Sequence, residues 1–339
     1  MVVIFSLLLL ALSLVPAIAQ DEAVDLRIGI LPVMNIYPFY ANPLGYFEEA
    51  GVSVQMVPVF SAQELREGIA AGDLDGFQAD LITTLVLLEE DHDLRLVRHV
   101  GLVAPPLFGI LAYETSGFVS ARDLAGARIG ISAKTVVQYV TDLMLISVGV
   151  NPAAVEYVNI PKIKNRNDML AAGEIDAATL PQPFFTLSEK AGAQALIDDS
   201  VLDYVPEAIS FLTVTLEEKG DQVRAFLQAY ERALAAINAR ETREEGVAWL
   251  GEEIRASLRT RVRAVGDDRV LGFMRALGEA GIWPSMTAAR VPTRGEFANV
   301  QSWALNAGLI ADVSAYDEVI DGSYLPELVE DDMSEEDEE

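Results

Sequence analysis

The strongest constraint on the fold is an internal repeat. Residues 27–30, with the sequence RIGI, are followed 101 residues later by an identical RIGI at residues 128–131. Residues 69–76, IAAGDLDG, return at the same spacing of 101 residues as LAAGEIDA at residues 170–177. Two matches at one spacing indicate a duplication, and each copy must then be able to fold as a similar unit.

Both copies have the same predicted order of strands and helices. A β-rich run leads into a helical segment that ends at a glycine, Gly51 in the first copy and Gly149 in the second. Strands that alternate with helices favour parallel βαβ units, so we predict an α/β fold with two similar βαβαβ lobes. The predicted strands are residues 26–31, 54–59 and 74–78, then 127–132, 155–160 and 175–180, and the predicted helices before the third strands are residues 63–71 and 165–172.

The remainder of the chain is predicted to be mainly helical and to pack on the first lobe. Strands predicted between residues 102 and 113 and at residues 209–214 would link the lobes, and two such crossings form a hinge. Further helices are predicted at residues 219–240, 245–257, 267–280 and 293–307. The predicted division is 24–105 for the first part of lobe 1, 106–208 for lobe 2, 209–325 for the return to lobe 1, and 326–339 for an acidic, disordered tail.

The start of the chain has the pattern of a secretory signal peptide. An apolar run at residues 2–15 is followed by Pro16 and the small-residue pattern Ala17-Ile18-Ala19, after which the sequence becomes polar. We predict cleavage after Ala19 and a periplasmic or extracellular location. The run has no Lys or Arg before it, so an uncleaved anchor is the alternative. Since the chain has no cysteine, it is not predicted to be a lipoprotein.

Composition excludes several kinds of chemistry. The absence of cysteine excludes disulfides, thiol nucleophiles and cysteine-ligated metals. His92 and His99 are the two histidines; both lie in or beside a charged stretch and are predicted to be on the surface. The formal net charge of −28 repels nucleic acid and anionic lipid. We therefore expect no catalytic residue, no metal, no cofactor and no nucleic-acid partner.

The loops that follow the predicted strands are the expected ligand site, because ligands of open α/β lobes bind beyond the carboxyl ends of the strands. Ser132 is predicted to cap the helix that begins near Lys134, where free N–H groups and the lysine would bind an anion; the alternative is a capped helix with a surface lysine. Asp80 would accept a hydrogen bond from a ligand or cap the helix from residue 82. The predicted ligand-binding residues are Asn35, Tyr37, Phe39, Phe60, Ser61, Asp80, Ser132, Lys134, Thr135, Gln182 and Phe184, with the aromatic rings among them predicted to stack on a flat ligand.

The order and spacing of several segments resemble the substrate-binding proteins of ABC importers, in particular the group for nitrate, sulfonates, taurine and thiamine precursors. These segments are LREGIAAGDLDG at residues 65–76, GARIGISAKTVVQYV at 126–140 and MLAAGEIDAATLPQPFF at 169–185. The resemblance implies two lobes that close around one small molecule, with crossover strands between them. It also implies a monomer that docks on a membrane permease with its ATPase. Residues 181–184, Pro-Gln-Pro-Phe, match a Pro-Glu-Pro-Phe-like turn of the family, with Gln182 in place of Glu.

Within this resemblance the ligand and two other function classes remain open. The loop that contains Tyr37 and Phe39 favours a heteroaromatic ligand such as a pyrimidine vitamin precursor. Ser132 and Lys134 instead favour a sulfonate or carboxylate. An enzyme on the same fold, such as a pyrimidine-precursor synthase or a lyase, is the main alternative, and a sensing module for a membrane receptor is another. Asp73 and Asp75 resemble an acid–base pair, but their repeat equivalents Glu174 and Asp176 indicate a structural turn.

Overall fold

The computed structural model describes residues 24–31, 45–104, 106–239, 285–287 and 289–326. Within them the chain forms two five-stranded sheets with helices, one sheet in each lobe, and a small two-stranded sheet. The predicted α/β fold with two similar lobes is thereby confirmed. The predicted signal peptide, the predicted helices at residues 245–257 and 267–280, and the acidic tail beyond residue 326 lie outside the described residues.

The first lobe begins with the first copy of the repeat. In chain order its elements are β1 (Leu26–Ile30), α1 (Tyr46–Glu49), β2 (Val54–Pro58), α2 (Ala62–Ala70), β3 (Gly76–Asp80), α3 (Leu81–Glu89) and β4 (Leu94–His99). The chain then passes through the short strand β5 (Leu102–Ala104) into the second lobe.

The second lobe contains the second copy. Its elements are β6 (Phe108–Tyr113), β7 (Arg128–Ile131), α4 (Val136–Ser147), β8 (Glu156–Asn159), α5 (Ile163–Ala171), β9 (Ala177–Pro181), α6 (Phe184–Lys190) and β10 (Ala193–Asp198). The chain returns to the first lobe with β11 (Glu207–Leu212), α7 (Thr213–Glu218) and α8 (Gly220–Asn238), and the later elements are β12 (Ser285–Met286), α9 (Arg294–Asn306) and α10 (Tyr316–Val319).

The two large sheets have equivalent topologies. The strand order is β2-β1-β3-β11-β4 in the first lobe and β8-β7-β9-β6-β10 in the second. The first strand of each copy pairs in parallel with the two strands that follow it in that copy. An antiparallel strand lies beside the third strand in both lobes: β11 beside β3, and β6 beside β9. Each lobe is therefore completed by the strand that the chain forms directly after it has crossed from the other lobe.

The crossings differ in position from the prediction. The strands predicted to link the lobes, β6 and β11, each lie wholly within one sheet. The chain crosses just before each of them, at residues 100–107 and 199–206. Asp199 in the second crossing accepts hydrogen bonds from the backbone N–H groups of Leu107 and Phe108, both at 3.1 Å. One buried carboxylate thus holds the end of the other crossing, and the two segments form a single hinge.

A repeated aspartate fixes the start of the third strand in each copy. Asp75 accepts a hydrogen bond from the Arg27 N–H, and Asp176 accepts one from the Arg128 N–H, both at 2.7 Å. Each aspartate also donates its own N–H to the carbonyl oxygen of the same arginine. Because these residues still belong to the turn, β3 and β9 begin later than predicted, at Gly76 and Ala177. The structural interpretation is supported for Asp75 and its equivalent Asp176, since their side-chain oxygen atoms bind the first strand of each copy.

The cores of the two lobes also follow the repeat, with one exception. The outer face of each sheet packs on its own apolar cluster, in which Ile69 and Leu74 of the first lobe correspond to Leu170 and Ile175 of the second. Leu65 completes the first cluster and is fully buried. The second cluster has no apolar residue at the equivalent position, because that position is occupied by Arg166.

Candidate ligand-binding cleft

A cleft lies between the carboxyl ends of the parallel strands of the two lobes, where ligands of α/β folds bind. It contains about 530 Å³ of space, part of which is open to solvent. The first lobe contributes residues that end or follow β1, β2 and β3, and the second lobe contributes residues that end or follow β7, β8 and β9. The lining residues are Leu31, Phe60, Ser61, Ala62, Asp80 and Glu207 from the first lobe, and Phe108, Ser132, Thr135, Val136, Val137, Pro161, Ile163, Arg166 and Pro181 from the second.

The structure brings together only part of the predicted site. The predicted residues that line the cleft are Phe60, Ser61, Asp80, Ser132 and Thr135. Lys134, Gln182 and Phe184 do not line this cavity, and Asn35, Tyr37 and Phe39 lie outside the described residues.

Ser61 and Asp80 cap the two helices that point into the cleft from the first lobe. The Ser61 hydroxyl accepts a hydrogen bond from the Glu64 N–H at 3.1 Å at the start of α2. Asp80 caps α3: its Oδ1 accepts from the Thr83 N–H at 2.7 Å, and its Oδ2 accepts from the Thr83 hydroxyl at 3.1 Å. The capping interpretation of Asp80 is therefore confirmed. The side chain also forms part of the cleft wall.

The helix cap of the second lobe differs from the prediction. Thr135, not Ser132, caps α4, and its hydroxyl accepts a hydrogen bond from the Val137 N–H at 3.2 Å. The cap lies three residues later than predicted, and Lys134, in the loop just before it, adopts a left-handed conformation with φ 62°. The backbone N–H groups that the prediction offered to an anion are occupied, since Ala133 and Lys134 donate to the Asn159 and Gln138 side chains. Lys134 itself is exposed.

Gln182 and Phe184 have structural contacts outside the cleft. The Gln182 side-chain oxygen accepts from the Thr186 N–H, and its amide nitrogen donates to the Pro106 carbonyl oxygen, both at 3.2 Å. Gln182 therefore ties the start of α6 to the first crossing. Phe184 packs against the apolar cluster on the outer face of the second sheet.

Arg166 is the residue in the cleft wall that the sequence analysis missed. It lies on α5, is fully buried, and donates from Nη1 to the Ile160 carbonyl oxygen at 2.8 Å. Its Nε and Nη2 atoms are buried without a hydrogen-bond partner in the described part of the chain. Burial lowers the pKa of Arg166 to about 9, so the guanidinium is still charged at neutral pH. An unpaired cation at this depth is costly unless an anion joins it.

The repeat contains a signal that would have found Arg166. At the spacing of 101 residues, Arg166 corresponds to Leu65, a buried core residue of the first lobe. Its neighbours on α5 follow the apolar pattern of α2, with Leu170 matching Ile69. A charged residue at a duplicated core position breaks that pattern for a reason other than folding, and such departures point to function.

Asp80 is the charged residue of the opposite wall. Burial raises its pKa to about 6, although hydrogen bonds from Thr83 favour the charged form. Its partner in the register between β3 and β11 is Glu207, which is also buried and also lines the cleft. The first lobe thus presents neighbouring carboxyl groups and the second a guanidinium.

A second cavity lies at the hinge, where both crossings meet. It contains about 860 Å³, part of it solvent, and is lined by residues that include His99, Asp199, Tyr204 and Arg290. The prediction of a surface position for His99 is wrong: the ring is buried, and its Nδ1 donates to the Glu207 carbonyl oxygen at 3.0 Å. Burial and the nearby charge of Arg290 lower the pKa of His99 to about 3.

In the part of the chain that the structure describes, no helix is both long and apolar enough to cross a bilayer. Among the same residues, no group of three or more His, Cys, Asp or Glu side chains is placed to hold a metal ion.

Solved structures share the two-lobed fold. The alkanesulfonate-binding protein SsuA from Xanthomonas axonopodis pv. citri, bound to MOPS, has a TM-score of 0.67 and 17% identity, covering 88% of this chain and 99% of that chain. A ligand-binding component of an ABC-type import system from Staphylococcus aureus has a TM-score of 0.67 and 15% identity, with coverages of 88% and 97%. The desulfurization enzyme DSZB has a TM-score of 0.57 and 18% identity, with coverages of 88% and 97%.

At the level of sequence, no curated protein matches the chain. The family described as NMT1/THI5 like matches residues 34–242, which include most of the repeat and the crossings between the lobes. This range is more than half of the chain, and it agrees with the resemblance noted in the sequence. The protein therefore belongs to the NMT1/THI5-like family.

Proposed function

We propose that the protein is an extracytoplasmic solute-binding protein that captures a small organic anion between its lobes and delivers it to an ABC importer. Its partners would be a membrane permease and the associated ATPase, and its predicted signal peptide would export it. The two-lobed fold, the cleft and the functions of two structurally similar proteins support this role. The sulfonate bound by one of them is an organic anion of the proposed class.

The buried guanidinium of Arg166 is the observation that indicates an anionic ligand. Placing a guanidinium in the interior costs on the order of several kcal/mol unless an anion compensates it. Two of its nitrogen atoms have no partner in the described part of the chain, so the bound anion supplies what the protein does not. A planar guanidinium matches two oxygens of a sulfonate or carboxylate. Phe60 is half-buried and lines the same cleft, which favours an anion that also carries a flat or apolar group.

Capture follows from the position of the hinge. The walls of the cleft come from different lobes, and the crossings at residues 100–107 and 199–206 are short. A ligand that contacts both walls binds the closed arrangement more tightly than the open one, and this difference in affinity drives closure. The closed lobes then offer one defined surface to the permease.

The proposal is tested by a thermal-shift panel of sulfonates, carboxylates, nitrate, pyrimidines and amino acids on the wild type and two variants. A ligand at about 100 times its dissociation constant adds roughly 2.7 kcal/mol to the stability. Arg166→Leu, which restores the residue of the first copy, should abolish the shift by anions. Lys134→Ala is the matched control, because Lys134 was a predicted anion contact but lies outside the cavity. A shift that survives Arg166→Leu and disappears in Lys134→Ala would contradict the proposal.

An enzyme is the second candidate, favoured by the fold shared with a desulfurization enzyme. The absence of cysteine limits this candidate to chemistry without a thiol. Mass spectrometry of each hit after prolonged incubation with the protein separates the two functions. A binding protein returns the compound unchanged, whereas a new product that depends on the protein would favour the enzyme.

A further inference from the structure

The two walls of the cleft carry opposite charges. Arg166 lies in the wall from the second lobe and Asp80 in the wall from the first, and both line the same cavity. Their exposed fractions are 0% and 2%. Neither side chain belongs to a salt bridge among the described residues. Buried charges are normally paired, so each of these groups is arranged for a partner that the described residues do not provide.

Asp80 has capacity beyond its role as a helix cap. A carboxylate offers about four acceptor positions. The Thr83 N–H and hydroxyl and the Ile82 N–H use three of them. One acceptor position therefore remains for a donor that enters the cleft.

The neighbourhood of Asp80 favours a cationic donor over a neutral one. Glu207 is its register partner on β11 and lines the same cavity. A buried carboxylate that has no salt bridge among the described residues is stabilised more by a positive charge than by a neutral donor. Burial raises the pKa of Asp80, and the positive charge of a ligand opposes that effect.

We propose that the ligand of the cleft is zwitterionic, with its anionic group on Arg166 and an ammonium or similar cationic group on Asp80. This inference rests on the proposed function and narrows its ligand class. Each charge is recognised by a different lobe, so only the closed arrangement satisfies both charges of one molecule. Recognition of the ligand and closure of the lobes are then a single event.

Matched ligand pairs test the inference by calorimetry. The pairs are propanesulfonate with 3-aminopropanesulfonate, and butanoate with 4-aminobutanoate, which differ only in the amine. The wild type should bind the preferred amino compound at least on the order of tenfold more tightly than its amine-free partner, as a charge-assisted hydrogen bond predicts. Asp80→Asn keeps an oxygen that can cap α3 but lacks the charge. It should lose this preference, so that the two members of a pair bind with equal affinity.

Asp176→Asn is the control, since it removes a repeated carboxylate outside the cleft and should keep the preference. Equal affinities within both pairs in the wild type would overturn the zwitterion and leave the anion site intact. A preference that persists in Asp80→Asn would overturn the assignment to Asp80. If no compound of either pair bound, both this inference and the proposed anion site would fail, and thermal unfolding of each variant verifies that it is folded.

Discussion

Trp303 donates a hydrogen bond from its indole Nε1 to Oδ2 of Asp142 at 2.8 Å. Trp303 lies on α9, which packs against α3 of the first lobe, whereas Asp142 lies on α4 of the second lobe. The indole also meets Tyr139 in an edge contact with ring centroids 5.3 Å apart. The helical part that was predicted to pack on the first lobe thus contacts both lobes, and it restrains the hinge from outside the two crossings.

Trp303→Phe should loosen the lobes without unfolding them. Phenylalanine keeps an aromatic ring beside Tyr139 but cannot donate to Asp142, so the loss is one hydrogen bond to a charged group, about 1.5–3 kcal/mol. Because the chain has no cysteine, spin labels can be attached at Gln63→Cys and Lys164→Cys, one in each lobe. The distribution of distances between the labels should broaden in the ligand-free variant.

Tyr157→Phe is the matched control for this prediction. The Tyr157 hydroxyl donates to the other oxygen of Asp142, and both residues belong to the second lobe. Its loss should lower the stability but leave the distance distribution unchanged. A broadening of equal size in both variants would mean that Trp303 acts only through the stability of α4.

Arg166→Leu should make the ligand-free protein more stable. Replacing an unpaired buried charge by an apolar residue of the duplicated core removes a desolvation cost, and exchanges of buried ionic groups for apolar ones are often neutral or stabilising by about 1–4 kcal/mol. Urea unfolding in a buffer without organic anions measures the change. A variant less stable than the wild type would show that the Arg166 bond to the Ile160 carbonyl oxygen outweighs the buried charge.

Local patterns carried most of the fold in this chain. The glycines that end the helices and the alternation of strands and helices depend on residues close in sequence, and the repeat showed that both copies share these signals. Gly51 and Gly149 indeed have positive φ angles, 71° and 83°. The observed crossings lie several residues before their predicted positions. The sequence could not place them, since the end of a strand depends on its neighbours in the sheet and not on its own composition.

The cleft was harder to predict than the fold. The rule for strand ends found Ser61, Asp80 and Thr135, which follow or end strands. It missed Arg166, which lies on a helix and reaches the cleft only through the packing of α5 on the sheet. His99 was misplaced for a similar reason, because its burial is caused by the second crossing and by residues near Arg290, which are distant in the sequence.

The repeated aspartates should differ in their contribution to stability. Asp75 accepts from the Arg27 N–H and side chain and from Lys219 Nζ at 3.0 Å, and it is buried. Asp176 accepts from the Arg128 N–H and is partly exposed. Asp75→Ala should cost about 2–3 kcal/mol and Asp176→Ala about 1 kcal/mol, measured by urea unfolding at neutral pH. Equal costs would mean that the shared backbone bond alone matters.

Strong acid should remove the stability that Asp75 contributes. Burial alone would raise its pKa, but the hydrogen bonds from Arg27 and Lys219 outweigh burial and lower the pKa below the ordinary value of 3.8. The stability that Asp75 confers is therefore complete above that value and is lost as the pH falls through the lowered pKa. The difference in stability between the wild type and Asp75→Ala should shrink as the pH falls below 3.8, and a constant difference would contradict the ion-pair account.

His99 should make the protein sensitive to mild acid. Its pKa in the folded protein is about 3, against 6.5 as the ordinary value, so below pH 6.5 the unfolded chain binds a proton that the folded protein excludes. The stability attributable to neutral His99 is complete above pH 6.5 and falls by about 2 kcal/mol by pH 5, at 1.36 kcal/mol per pH unit. The matched variant is His99→Asn, which keeps a donor for the Glu207 carbonyl oxygen but does not titrate in this range. The stability contributions of Asp80 and Asp199 change with pH in the opposite direction, but both residues are present in both proteins and cancel in the difference. Urea unfolding at pH 7.5 and pH 5 should therefore show that the wild type loses more stability than His99→Asn, whereas parallel losses would mean that His99 can accept a proton without disturbing the hinge.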